Sequence, residues 1–204
     1  MRVFLGITGA SGAAYGATAL RALTGAGWEV GLCVSQSGVK VIAHELFGLG
    51  ADPSEPRDEL IDRFVAEQAA DAGRVTVLGL QELTAPFASG SSLAPAALIV
   101  PCSGSTLGAI AHGVGHNLIH RCADVMLKER RRLVLVPRET PLSPIYIENM
   151  LTLSRAGATI LPAMPGLYNH PESVQDMVDF VVGKALDAIG AEHDLLRRWG
   201  SEGR

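Results

Sequence analysis

"RVFLGITGASGAAYG", Arg2 to Gly16, runs from an unbroken apolar stretch through a glycine-rich turn into small, helix-forming residues. The part Arg2–Thr8 lacks polar and apolar alternation, as expected of a strand covered on both faces. Gly9 and Gly12 allow a tight turn and a close approach of backbone to a ligand. A helix is expected from about Gly12 to Thr24, with Ala14, Leu20 and Leu23 among its apolar positions and "GAG", Gly25–Gly27, as its stop. A helix that begins where a strand ends favours an anion at its N-terminus, and Ser11 adds a hydroxyl there. The stretch therefore predicts an α/β domain whose ligand lies beyond the carboxyl end of the first strand.

The same alternation continues. "WEVGLCVS" reads as a strand ending at Ser35, and "GVKVIAHELFG" as a helix closed by Gly48. Two strand–helix units in tandem imply parallel pairing through right-handed crossovers. Leu49–Glu59 carries two prolines and many charges and reads as a surface loop. The helix "ELIDRFVAEQAADAG", the strand "RVTVLG" and the irregular "APFASGSSLAP" follow. "AALIVPCSGST" is a strand running into a polar turn. "LGAIAHGVGHNLIHRCADVMLKERR" is helical in two pieces, because Gly113 and Gly115 weaken a continuous helix. "RLVLVP", the link "RETPLSP", the helix "IYIENMLTLSRAG", the strand "ATILPA" and the helix "SVQDMVDFVVGKALDAIG" complete the chain. No internal repeat or linker is present. The expected architecture is one three-layer α/β/α domain over residues 1–190, a doubly wound parallel sheet of Rossmann-like type, with a C-terminal tail at 191–204.

The totals exclude several classes. Among 204 residues, 48% are apolar and 19% charged, which fits a folded domain better than a disordered chain. The net charge of −4 argues against a nucleic-acid partner. Cys33, Cys102 and Cys122 are odd in number and form no C-x-x-C pair, so they read as reduced thiols in a cytoplasmic protein. No apolar run reaches the ~18 residues of a spanning helix, and the N-terminus reads as a strand rather than a signal peptide.

The first turn resembles that of the NAD-dependent short-chain dehydrogenases, but its setting differs. A dinucleotide site places Asp or Glu at the end of the second strand to hold ribose hydroxyls. Here "CVSQSG" offers Ser35 and Ser37 and no acid. The dehydrogenase Y-x-x-x-K is also absent: Ala19, Met150 and Glu172 stand four residues after Tyr15, Tyr146 and Tyr168. Hydroxyls without an acid suit a phosphate, and so a mononucleotide such as FMN. "PCSGST", Pro101–Thr106, is a second such turn, in which Ser103 and Thr106 can cap a helix and donate to a ligand. Tight-turn packing and capping alone would explain either turn singly.

With "GITGASG", "ASGSS", "PCSGST" and "LPAMPGLYNHPES", the stretch "NLIHRCADVMLKERRRLVLVPRETPLS", Asn117–Ser143, closely resembles the UbiX-type flavin prenyltransferases. These are also known as aromatic-acid, or 3-octaprenyl-4-hydroxybenzoate, decarboxylases. The resemblance covers nearly the whole chain in the same order. It implies an enzyme that joins the dimethylallyl group of dimethylallyl phosphate to N5 and C6 of reduced FMN, without a metal. The prenylated FMN then passes to a UbiD-type decarboxylase. It also implies a large homo-oligomer, commonly a dodecamer.

Carried onto this chain, the resemblance implies FMN contacts at Gly9, Ala10, Ser11, Ser35, Ser103, Gly104, Ser105, Thr106 and Arg138. It implies contacts to dimethylallyl phosphate at Lys128, Tyr168 and Lys184, with Arg121 nearby. Leaving-group charge would then be met by fixed cations and a phenol through preorganised electrostatics. Several relatives have arginine where this chain has Lys184, so the charge is kept and the bidentate fork is lost. Glu139 matches the acid expected to relay the C6 proton. Glu45 matches a second family glutamate, and Ser11 stands near the flavin N5. Read without the resemblance, "KERRR" is a solvated helix end, Glu139 a surface ion pair and Glu45 an exposed helix residue. Trp199 matches a tryptophan that reaches towards the prenyl pocket, whereas Leu83 stands where some relatives have tryptophan.

His112, His116 and His120 recur every fourth residue and could share a helix face. No acid completes a zinc motif with them, and "HELFG" is not H-E-x-x-H, so a polar or subunit-contact face is expected. Two other functions remain open on the residues: a flavin-dependent decarboxylase of cysteine peptides, and a non-catalytic FMN carrier.

Overall fold

The opening run forms β1 (Arg2–Ile7), and five more strands follow: β2 (Glu29–Val34), β3 (Val75–Val77), β4 (Ala96–Cys102), β5 (Arg132–Pro137) and β6 (Thr159–Ile160). They pair in the order β3-β2-β1-β4-β5-β6, every pair parallel. The structure, a computed structural model, describes residues 1–50, 52–91 and 94–196. β1 lies centrally and is covered on both faces, which explains its unbroken hydrophobicity. Val3, Leu5 and Ile7 enter one core and Phe4 the other.

Among the described residues, seven α-helices cover the sheet: α1 (Ala13–Gly25), α2 (Gln36–Phe47), α3 (Arg57–Gln68), α4 (Gly104–Ala111), α5 (Leu118–Lys128), α6 (Pro144–Arg155) and α7 (Val174–Ile189). α1, α2, α3 and α7 share the core of Val3 and Leu5, while α4, α5 and α6 share the core of Phe4. The chain thus winds outward from β1 in one direction and from β4 in the other. Strand order reverses between these two strands, and their carboxyl ends part to leave a crevice.

Three elements depart from the sequence reading. α3 starts at Arg57, within the stretch read as a loop, since Pro56 precedes it and Asp58 and Glu59 complement its dipole. It ends at Gln68, and Asp71 then caps a separate short turn at Ala72–Arg74 by accepting from Gly73 N–H. β6 has only two residues, because Pro162 follows closely and carries no N–H. The helical stretch after "PCSGST" breaks as expected: Gly113 has φ +66°, and Asn117 caps α5 by accepting from His120 N–H. His112 therefore ends α4, His116 lies in the connecting turn and His120 sits in the first turn of α5. They share no helix face.

The described part of the tail packs back on α7. His193 reaches Asp187 (Nε2 to Oδ1, 3.2 Å), and Leu196 lies where a side chain at Gly183 would be. Trp199 lies outside the described residues.

Candidate active site

Three helices begin at the crevice. Ser35 caps α2 by accepting from Gly38 N–H at 3.0 Å, and Ser103 caps α4 by accepting from Thr106 N–H at 3.3 Å. Asn117 does the same for α5. Together Gly9, Ser35, Gln36, Ser37, Ser103, Ser105, Thr106, Asn117 and His120 line a cavity of about 280 Å³. The Ser103 hydroxyl lies 3.1 Å from those of both Ser105 and Thr106. The first-turn N–H groups of such helices have no intrahelical partners and carry partial positive charge. A cavity walled by hydroxyls and helix N-termini suits an oxyanion. Gly9 is required by this closeness: a Cβ there would lie 2.4 Å from Ser37 Cβ.

Thr8 ties the two halves of the crevice together. Its buried hydroxyl donates to the Pro101 carbonyl at 2.8 Å and accepts from Ser103 N–H at 2.7 Å. The end of β1 thereby sets the position of the turn after β4.

The first glycine turn corrects the sequence reading of α1. Its N-terminus does not face the cavity as a free anion site. Gly12 N–H and Ala13 N–H donate to Glu45 Oε2 at 2.8 and 2.7 Å. The carboxylate replaces a side-chain N-cap, which α1 lacks, and Gly12 takes φ +114° to permit it. Helices α2, α4 and α5, not α1, leave their ends to the cavity.

Arg138 follows β5 and crosses to the same turn, its Nε–H donating to the Ser11 carbonyl at 3.1 Å. Arg138 and Glu139 line a second cavity of about 70 Å³ beside Leu142, Met150, Pro162 and Met164. Its wall mixes one cation, one carboxylate and apolar side chains. Glu139 is exposed, and one of its oxygens accepts from Thr140 N–H. Tyr146 packs where a side chain at Gly104 would be. Burial, with Cys102 and Glu139 nearby, pushes its phenol up to about 12 against the opposing pull of Arg138. Burial likewise raises Tyr15, opposed by Arg138.

The residues expected to hold the prenyl donor do not converge within one chain. Arg121 is engaged by Asp124 at 2.6 Å and by the Ala88 carbonyl at 3.1 Å. Lys128 ends α5, eleven residues below Asn117 and so about 16 Å from the crevice at 1.5 Å per residue. It lies at the amino edge of the sheet, pairs with Glu129 at 2.7 Å and sits beside Gly90. Tyr168 is exposed after β6, edge-on to Phe180 of α7 with centroids 5.7 Å apart. Lys184 is exposed one turn further along α7. The rest of "KERRR" is not simply a solvated end. Arg131 Nη2–H donates to the Gly90 carbonyl, and Arg132 Nη1–H to the Ile189 carbonyl at the end of α7. Leu83 is exposed.

Thr8, Gln36, Asn117, His120 and Tyr146 were not singled out for the site in the sequence. Asn117 carried a signal, an N-capping residue before an apolar run. Thr8 carried none, since its partners come from residues more than ninety positions away. Among the described residues, no group of three or more His, Cys, Asp or Glu is placed to hold a metal ion, and no helix is long and apolar enough to cross a membrane.

Residues 1–186 match the Flavoprotein family model. The flavin prenyltransferase UbiX of Halalkalibacterium halodurans is 50% identical over 97% of this chain and 93% of its own length. The chain belongs to the UbiX family of flavin prenyltransferases. AnUbiX (PadA1), solved in complex with FMN and dimethylallyl pyrophosphate, superposes with a TM-score of 0.83 at 38% identity, covering 97% of this chain and 96% of that one. A dodecameric FMN-dependent UbiX-like decarboxylase from Escherichia coli O157:H7 gives 0.79 at 39% identity, covering 95% of this chain and 97% of that one.

Proposed function

We propose that the chain prenylates reduced FMN with dimethylallyl phosphate, using the hydroxyl-lined crevice for the flavin nucleotide. The observation that carries this is the meeting of the α2 and α4 N-termini at Ser35, Ser103 and Thr106, one strand away from Arg138 and Glu139. Ser35–Ser37 and Ser103–Thr106 would hold the phosphate. Gly9, Ala10 and Ser11 would line the path from it towards Arg138. Transfer breaks the donor's C–O bond and releases inorganic phosphate; bonds to the prenyl unit replace the hydrogens on flavin N5 and C6, and the inner carbon of the former double bond takes up one proton. Glu139 is the carboxylate assigned to the C6 proton, and the apolar wall of Leu142, Met150 and Met164 suits a five-carbon chain. Ser11 stands beside the turn for proton exchange near N5. Glu45, occupied as the cap of α1, is assigned to holding that turn in shape.

Lys128 reaches no such site from its own chain. We assign it to a neighbouring copy in a homo-oligomer, as the dodecameric relative suggests, so that each site draws on two subunits. Tyr168, edge-on to Phe180, and Lys184, one turn beyond Phe180 on α7, are assigned to complete the phosphate-binding set in the assembly. The product is assigned to a UbiD-type decarboxylase, and the three free buried thiols suit the cytoplasm.

Mixing the protein with reduced FMN and dimethylallyl phosphate should give a flavin heavier by one prenyl group. Glu139→Gln should still bind FMN and lose turnover by about 100-fold or more. Protein that binds FMN and yields no heavier species refutes the activity. An E139Q protein as active as wild type refutes the role of the acid.

A further inference from the structure

His120 stands in the first turn of α5 and lines the same cavity as Ser35, Ser103 and Thr106. Its neighbour fixes its protonation. The Asn117 side-chain oxygen accepts from His120 N–H at 3.0 Å, which turns the Asn117 amide nitrogen towards His120 Nε2 at 3.4 Å. An amide NH₂ can only donate, so Nε2 accepts and the proton resides on Nδ1. Nδ1 is the one buried side-chain nitrogen or oxygen without a partner among the described residues. A buried N–H without an acceptor is unfavourable, because it gives up its water partner and gains none. Burial and the neighbouring His116 both lower the proton affinity of the ring, so it stays a neutral donor.

We propose that His120 is a further binding residue for the flavin nucleotide, its ring N–H donated to the phosphate between the N-termini of α2 and α4. The inference rests on the FMN reading above. In its present rotamer Nδ1 faces protein. The torsion about Cβ–Cγ is broad and roughly two-fold for histidine, so the ring can turn at the expense of its 3.4 Å contact with Asn117, and the cavity is the side that offers it an acceptor. A phosphate monoester supplies that acceptor at full charge, whereas the remaining cavity wall offers only neutral groups. The turn exchanges the long Asn117 contact for a charge-assisted bond and removes an unmet donor.

The test compares FMN with riboflavin, which lacks the phosphate, by quenching of flavin fluorescence. His120→Leu should weaken FMN binding about tenfold, the range of a hydrogen bond to a charged group, and leave riboflavin binding within about twofold. Equal FMN affinity in H120L and wild type overturns the assignment, as does an equal loss for both flavins. Wild-type protein that takes up no FMN overturns the underlying reading and this one with it. Nitrogen NMR of the wild-type histidines gives a readout independent of any variant's folding. Addition of FMN, or of inorganic phosphate alone, should move the His120 ring signals; unmoved signals under saturating FMN overturn the proposal.

Discussion

Thr8→Val removes one oxygen and keeps the shape of a buried side chain, yet it should loosen the whole crevice. Two hydrogen bonds meet at that hydroxyl. The Pro101 carbonyl keeps a second donor, Thr8 N–H at 3.2 Å, so losing the hydroxyl there costs only a net bond, about 0.5–1.5 kcal/mol. Ser103 N–H has no replacement in the protein and costs about 1–3 kcal/mol when left unmet. Ser103 is only half-buried, so water reclaims part of this, and about 2 kcal/mol in all is expected. At this chain length that lowers Tm by about 4–8 °C. Thr8→Ser keeps the oxygen and should lose less than half as much. The functional consequence follows from position: the Ser103–Thr106 turn is misplaced, and FMN affinity falls further than stability alone explains. Scanning calorimetry and FMN titration of T8V, T8S and wild type test both parts. A T8V protein within 1 °C of wild type, or one that binds FMN as tightly, refutes the view that β1 positions the second turn.

Three further outcomes follow from particular contacts. Glu45→Ala uncaps α1 and should cost about 1 kcal/mol; added phosphate or sulfate should restore more stability to this variant than to wild type, by entering the vacated N-terminus, and equal salt effects in thermal melts would count against the cap. Cys33 and Cys102 are pushed up to about 12, and Cys122 is raised as well, all by burial. The unfolded chain gives up these protons first, near pH 8.5–9, so stability should fall as pH climbs above about 9, by up to about 1.4 kcal/mol per unit for each thiol. Urea midpoints from pH 8 to 10.5 should fall less steeply in Cys102→Ala than in wild type, and parallel curves would contradict this. Oligomers assembled from equal amounts of Lys128→Ala and Glu139→Gln chains should regain about a quarter of wild-type activity, because one site in four draws both intact residues from different copies; a mixture as inactive as its parents would place Lys128 in its own chain's site.

What the sequence determined was local and periodic. The alternation of strand and helix, the glycine turn after β1 and the capping residue Ser103 are set by neighbours a few positions away. Hydrophobicity and hydrogen-bonding chemistry therefore announce them directly, and with them the parallel sheet and the hydroxyl-rich edge. The family resemblance rested on the same local motifs, and the 50% identical relative agrees with it. Boundaries failed where the deciding partner was a proline or a cap, as at α3 and β6. Only the tertiary structure decided which helix end was free for an anion. Glu45 comes back from the next helix to occupy α1, because two neighbouring helices on one face of a parallel sheet bring residues some thirty positions apart to the same turn. It likewise separated Lys128 from the crevice, since an α5 running antiparallel to the strands carries its last residue to the opposite edge. Those facts depend on direction and distance through the fold, which no spacing along the chain encodes.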